Sequence, residues 1–205
     1  MAVEAVIIDC GVGNAQSVYN MLLRAGFEAE LTCKPEVIRS AARVIFPGVG
    51  SFDRAATAIE EIPSLKSAIE HAAINRQAPF LGICLGMQLL FEKSEEGLAD
   101  GFGWIAGKSV RLLQSSGYPT PHMGWQTLDL TQSSKLFMSN GANRFYFAHS
   151  YEVIPDMTST ILATVNHGRD IVAAVQQENI FGVQFHPEKS HRFGMDLLKR
   201  FASMT

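Results

Sequence analysis

Apolar, strand-like runs alternate with amphipathic helical stretches through the first eighty residues, and this alternation restricts the fold more than any other feature. Val3 to Ile8 is a β-branched run ending in Asp9-Cys10-Gly11-Val12-Gly13-Asn14, after which Ala15, Val18 and Leu22 recur at helical spacing as far as Gly26. Phe27 to Cys33 alternates apolar with polar residues, Val44-Ile45-Phe46 is a short apolar strand cut off by Pro47-Gly48, and Pro79 to Ile83 is a buried strand. Between these last two lie helical stretches, Ser51 to Glu61 and, after Pro63, Ser64 to Arg76. Strands that alternate with helices pair in parallel through right-handed crossovers. The expected fold is therefore α/β, a doubly wound and mostly parallel sheet flanked by helices, with ligands at the carboxyl ends of its strands.

From Trp104 onward the pattern changes to short strands divided by turn residues, among them Arg144 to Tyr151. Ile161 to Val165 and Ile171 to Val175 form an expected hairpin across Asn166-His167-Gly168-Arg169-Asp170. Ile180 to Phe185 is a last strand, and Phe193, Leu197, Leu198 and Phe201 share one face of a closing helix. An antiparallel β extension thus occupies the second half. No linker or repeat divides the 205 residues, and a single domain spanning 1–205 is expected.

Composition excludes several classes of function. Hydrophobic residues make up 47 % and charged residues 18 %, enough apolar material for a core and too little charge for a disordered chain. The net charge of −3 is scattered, with no basic block to neutralise a row of phosphates, so no nucleic-acid partner is expected. The longest uncharged apolar stretch, Pro79 to Phe91, falls short of the ~20 residues of a membrane span. Met1 to Asp9 has no basic region ahead of its apolar run, unlike a signal peptide, and a soluble cytoplasmic protein is expected. Cys10, Cys33 and Cys84 contain no Cys-x-x-Cys pair, which encodes neither a disulfide framework nor a zinc knuckle. Metal-ligand spacing and a complete dinucleotide fingerprint are also missing, so no cofactor is implied.

Gly82-Ile83-Cys84-Leu85-Gly86-Met87-Gln88 sets a cysteine between two glycines, after an apolar strand and before a helical run. That is the thiol counterpart of a nucleophile elbow, in which side chains at the flanking positions would collide. A helix start favours thiolate over thiol, and the Leu85 N–H points toward the oxygen of any carbonyl that Cys84 attacks. The alternative is a small buried core residue, the common fate of free cysteine. Cys10 and Cys33 are read that way, since Cys33 ends a half-exposed strand with no base nearby in sequence and Cys10 only adjoins a glycine turn.

A base for such a nucleophile is available in Gly182-Val183-Gln184-Phe185-His186-Pro187-Glu188, at the end of another apolar strand. Pro187 pushes His186 into an extended conformation. Residues two apart in an extended chain project to one side, which brings Glu188 to the Nδ1 side of the ring and leaves Nε2 to take a proton. By itself a strand-end histidine is as well explained as a surface residue, but both segments should open at one edge of one sheet. His71 and His191 look like solvated helical positions, and His122 and His167 sit in expected loops without a companion. A second oxyanion donor is sought in Phe46-Pro47-Gly48-Val49-Gly50-Ser51, around Val49 and Gly50, beside the ordinary reading of a strand-to-helix turn with Ser51 or Asp53 near the helix start.

Taken together, the Cys84 elbow, the Pro47-Gly48-Val49-Gly50 loop and Gln184-Phe185-His186-Pro187-Glu188 resemble the class I (triad) glutamine amidotransferases. More narrowly, Asp9 to Asn14, Pro121-His122-Met123-Gly124-Trp125, Phe145-Tyr146-Phe147-Ala148-His149-Ser150-Tyr151 and His186-Pro187-Glu188-Lys189-Ser190 resemble the glutaminase subunits of imidazole glycerol phosphate synthases. The resemblance implies a Cys84–His186–Glu188 triad that hydrolyses L-glutamine to glutamate and ammonia through a cysteinyl thioester. It also implies a glutamine pocket lined by Gly48, Gly50, Gln88, His149 and Ser150. A cyclase subunit would receive the ammonia in a heterodimer and use it in making imidazole glycerol phosphate and AICAR. Asn14, Trp125, Tyr146 and Lys189 fall where the family meets that cyclase. Cys10, Ala56 and Gln126 depart from the family pattern, outside the triad. Rival readings are a glutaminase serving another synthase, a non-catalytic scaffold of the same fold, and a cysteine peptidase or amidase of similar sheet architecture.

Overall fold

The computed structural model describes residues 4–11, 13–114, 117–138 and 143–204. Val3 and Val12, both part of the first expected strand and turn, lie outside the described residues. In chain order the first half forms β1 (Ala5–Ile8), α1 (Ala15–Arg24), β2 (Ala29–Thr32), α2 (Pro35–Ser40), β3 (Val44–Gly48), α3 (Phe52–Glu61), α4 (Leu65–Glu70) and β4 (Phe80–Cys84). A short turn α5 (Leu85–Gln88) follows, then β5 (Lys93–Ser94), β6 (Gly107–Arg111), β7 (His122–Thr127), β8 (Asp129–Leu130), β9 (Arg144–His149) and β10 (Tyr151–Pro155). The chain continues through β11 (Ile161–Asn166), β12 (Asp170–Gln177), β13 (Ile180–Val183) and α6 (His191–Ala202).

Eight strands join in the order β2-β1-β3-β4-β13-β12-β11-β8. The run from β2 to β13 is parallel, and β12, β11 and β8 extend it antiparallel. The mixed sheet matches the α/β expectation with its antiparallel extension. Period-two alternation divides the strand residues between two cores. Ile7, Ile45, Leu81 and Ile83 pack with Val18 and Leu22 of α1 and with Leu197, Leu198 and Phe201 of α6. On the opposite face Val6, Ile8, Val44, Phe46 and Phe80 pack with Ile38 of α2, Phe52 and Ile59 of α3, and Leu65 and Ile69 of α4.

Local differences from the sequence reading have physical causes. Pro47 and Gly48 belong to β3 and do not end it, because Gly48 still pairs with Cys84 across the parallel ladder. Ser64 to Arg76 is not one α-helix: α4 passes into a π-helical turn, His71–Asn75. The short α2, with Pro35 at its start, had no periodic stripe long enough to show. Arg144 to Tyr151 splits at Ser150, since β9 pairs with β7 while β10 turns away to pair with β6.

Close backbone approach makes Gly86 a demanding position in this frame. A Cβ there would fall 1.9 Å from the Phe46 carbonyl oxygen, a backbone atom with nowhere to go. Gly86→Ala is expected to cost about 3 kcal/mol in denaturant unfolding. Gly26→Ala, where φ is +89° and a Cβ meets no atom, should cost only about 1–2 kcal/mol of backbone strain.

Candidate active site

β4 and β13 are neighbours in register, Gly82 with Gly182 and Ile83 with Val183, so the residues that follow both strands emerge at one edge. Cys84 ends β4 at φ 54° and ψ −109°, a region L-residues seldom occupy. The elbow is possible only because its flanks lack side chains: a Cβ on Gly82 would lie 2.4 Å from the Gly86 carbonyl oxygen. Such a backbone stores about 1–3 kcal/mol and must be held by its surroundings. The helix beyond it is the single turn Leu85–Gln88, shorter than the sequence suggested. One turn aligns few peptide dipoles, so donors that touch the sulfur carry more of the task of holding an anion there.

His186 is extended, at φ −103° and ψ 99°, as Pro187 requires. Its Nδ1 lies 2.8 Å from Glu188 Oε1, and both side chains are 3 % exposed. The pairing comes about differently from the sequence argument. Pro187 to Lys189 form a 3₁₀ turn, and this turn, not the alternation of an extended strand, swings the carboxylate back to the ring. The backbone is pinned on both sides: His186 N–H donates to the Tyr146 carbonyl at 2.9 Å and the Ser190 hydroxyl donates to the His186 carbonyl at 2.6 Å. The imidazole also hydrogen bonds Cys84. Burial opposes a charged ring, but the bonds to Cys84 and Glu188 and the charges on those groups outweigh it and raise His186 to about 10.

These groups open onto a cleft of about 380 Å³. Cys84, Leu85, Val49, Gly50, Gln88, His149, Ser150, His186 and Lys189, all singled out from sequence, line it. Gly48 lies just beneath, where a Cβ would come within 2.9 Å of Gly86 N and Leu85 Cβ; its absence lets the β3 loop close on the elbow. Gln88 and His149 spend their donors inside the protein, both on the Tyr151 carbonyl. Asn14, Trp125 and Tyr146 stand apart from the cleft wall. Asn14 precedes α1, beside Gly13, whose backbone rests on the Pro47 carbonyl. Trp125 and Tyr146 pair across β7 and β9, and the indole stacks on His191 with centroids 5.5 Å apart. His191 is exposed at the start of α6, the solvated helical position expected, and carries that stacking contact as well.

Two features escaped the sequence. Glu96 reaches the cleft rim because the 94–99 loop is tied to α3: its Oε2 accepts the Phe52 N–H at 2.9 Å, and Asp53 accepts the N–H groups of Leu98 and Ala99. Glu96, not Ser51, thus caps the first turn of α3. With Glu92, Glu95 and Asp100 close by in sequence, nothing singled it out. The second is a histidine cluster. His122 is not a loop residue without a companion but the first residue of β7, buried and paired in register with His149. Its Nδ1 lies 2.9 Å from His149 Nε2, and the His167 ring lies against it, tilted, with centroids 4.2 Å apart. Burial, with the nearby His167, lowers His122 to about 4; burial and neighbouring histidines lower His149 to about 3 against the opposing bond to Tyr151. Cys10 and Cys33 sit side by side after β1 and β2, away from the cleft, where burial and the neighbouring thiol push Cys10 well up. Among the described residues, no group of three His, Cys, Asp or Glu could hold a metal ion, and no helix is long and apolar enough to cross a membrane.

The family model for class-I glutamine amidotransferases matches residues 6–204, and the chain belongs to that family. Structures with this fold include PurLQS from Thermotoga maritima, with a TM-score of 0.70 at 21 % identity over 98 % of this chain and 96 % of that one. Another is a glutamine amidotransferase crystal structure, with a TM-score of 0.70 at 18 % identity over 94 % and 98 %. Within the family the chain groups with the HisH subunits of imidazole glycerol phosphate synthase. It is 44 % identical to subunit HisH 2 of Methanococcus maripaludis, over 95 % of this chain and 96 % of the relative. It is likewise 44 % identical to subunit HisH of Zymomonas mobilis, over 95 % and 93 %.

Depressed histidines make a pH prediction. Below the ordinary value of 6.5 the unfolded chain binds protons that folded His122 and His149 refuse, so their contribution is complete above pH 6.5 and is lost as pH falls toward about 4 and about 3. Urea unfolding across that range should show stability declining with acid, with a shallower decline in His122→Gln.

Proposed function

We infer that this protein is the glutaminase subunit of an imidazole glycerol phosphate synthase, hydrolysing L-glutamine to glutamate and ammonia with Cys84, His186 and Glu188. The observation that carries the reading is the buried line from sulfur through imidazole to carboxylate, open to one cleft. Cys84 Sγ attacks the side-chain amide carbon of glutamine, and the thiol proton, held on His186, passes to the departing nitrogen. Ammonia leaves and a γ-glutamyl thioester remains. His186 then takes a proton from water as the water attacks the thioester, and returns it to the sulfur as glutamate departs. Glu188 keeps the ring oriented through Nδ1 and stabilises its charged form.

The tetrahedral oxyanion falls between the Leu85 N–H and the backbone of Val49 and Gly50. Leu85 is the first residue of its turn, where an N–H has no intrahelical acceptor, and Gly48 permits the approach of the second segment. Glu96 supplies a carboxylate for the substrate ammonium, and Ser150 and the Tyr151 segment face the amino-acid end. The family relationship supports a heterodimer in which a cyclase subunit uses the ammonia in histidine biosynthesis. Asn14, Trp125, Tyr146 and Lys189 are assigned to that contact. Tyr146 and Lys189 flank His186 directly, which links docking to the catalytic ring. A cytoplasmic location completes this reading, in keeping with three free cysteines.

Cys84→Ala should abolish glutamine-dependent ammonia release while the melting temperature stays near that of the unaltered protein; ammonia release by the variant with purified cyclase would refute the mechanism. Glu188→Gln should lower kcat by about a hundredfold or more with a smaller change in KM. Activity should rise when a histidine-pathway cyclase and its ligand are added. Indifference to every such cyclase would point to a different synthase.

A further inference from the structure

A buried chain of hydrogen bonds runs beneath the cleft, and its direction is set at every link. The Tyr151 carbonyl can only accept. His149 Nδ1 lies 2.8 Å from it and must carry the hydrogen, which leaves His149 Nε2 to accept from His122 Nδ1 at 2.9 Å. Gln88 donates to the same carbonyl through Nε2 at 3.3 Å, so the flip of its amide is determined too. That nitrogen also donates to Gln184 Oε1 at 3.2 Å. Gln184, completely buried after β13, must then turn its own Nε2 toward Cys84 Sγ, 3.5 Å away.

We propose that Gln184 is a further catalytic residue, a fixed hydrogen-bond donor to the Cys84 thiolate, held in its donating orientation by Gln88 and, through the Tyr151 carbonyl, by His149. The proposal rests on Cys84 as the nucleophile. Its logic follows from the cycle itself. His186 changes protonation as it serves the leaving nitrogen and then the water, whereas an amide does not titrate. Gln184 therefore offers the sulfur the same N–H when it attacks and when it is expelled from the thioester. With only a single helical turn behind Cys84, that donor compensates for a weak dipole. The buried, neutral histidines act as positioning residues for the far end of the chain.

The test is the pH dependence of Cys84 alkylation by iodoacetamide in the full-length protein, with the modified cysteine mapped by peptide mass. A donor to a charged acceptor is worth about one to two pKa units. In Gln184→Met the midpoint should move up by about one unit and the rate at neutral pH fall about tenfold, with the high-pH plateau unchanged; Gln184→Glu should move it further. Midpoints equal to that of the unaltered protein in folded variants would overturn the proposal. Should the variants fail to fold, side-chain NMR of the unaltered protein labelled with [15N]glutamine gives the answer. Gln184 Nε2 protons that shift as the sulfur titrates support the contact, and protons that stay still refute it. Ammonia release is measured separately. Its absence with a cyclase present defeats the glutaminase reading, whereas an unshifted midpoint with ammonia release intact defeats the Gln184 role alone.

Discussion

The parallel pairing of β4 with β13 is the constraint on which the site depends. These strands come from opposite ends of the chain, yet their in-register contact places the elbow and the histidine loop at one sheet edge. Neither segment has a function without the other. A positive φ at Cys84 is costly and would relax in an isolated hairpin or helix; here the close packing of Gly82, Gly86 and Gly48 against backbone leaves it no alternative. The strain is paid by burial on both faces of the sheet, and one of the tight steric demands of the fold, at Gly86, lies two residues from Cys84.

Around that sulfur the protein combines a charged and an uncharged strategy. On the solvent side, His186 and Glu188 form a short buried pair, and against the cost of burial the interactions with Cys84 and Glu188 raise the proton affinity of the ring. On the inner side, Gln184, Gln88, His149 and His122 are linked as neutral groups, and burial keeps the two histidines uncharged. A protonated His149 would put a second cation into the cleft beside His186. Its depressed value leaves His186 as the cation of the pair, and every polar atom in the link to the sulfur can keep one orientation.

Much of this was legible from the chain. The alternation that predicts a parallel sheet, the glycines flanking Cys84, and the extended conformation imposed by Pro187 are local effects, and the structure has them where they were expected. Glu96 and His122 were not legible for a common reason. Each acquires its position from a partner remote in sequence: Glu96 from the N-terminal turn of α3, and His122 from its register with β9. Likewise Glu188 was correctly matched to His186, but through a 3₁₀ turn that the two-residue spacing alone did not distinguish from an extended strand.

The sequence by itself therefore determined the sheet class, the elbow, the proline-constrained histidine and the residue types able to perform acyl transfer, because steric and periodic rules act over a few neighbouring residues. Tertiary structure alone decided which donors reach the sulfur, which carboxylate stands at the rim and which histidines stay neutral. Hydrogen-bond direction and burial arise only when strands distant in the chain are brought side by side, and no spacing along one strand encodes them.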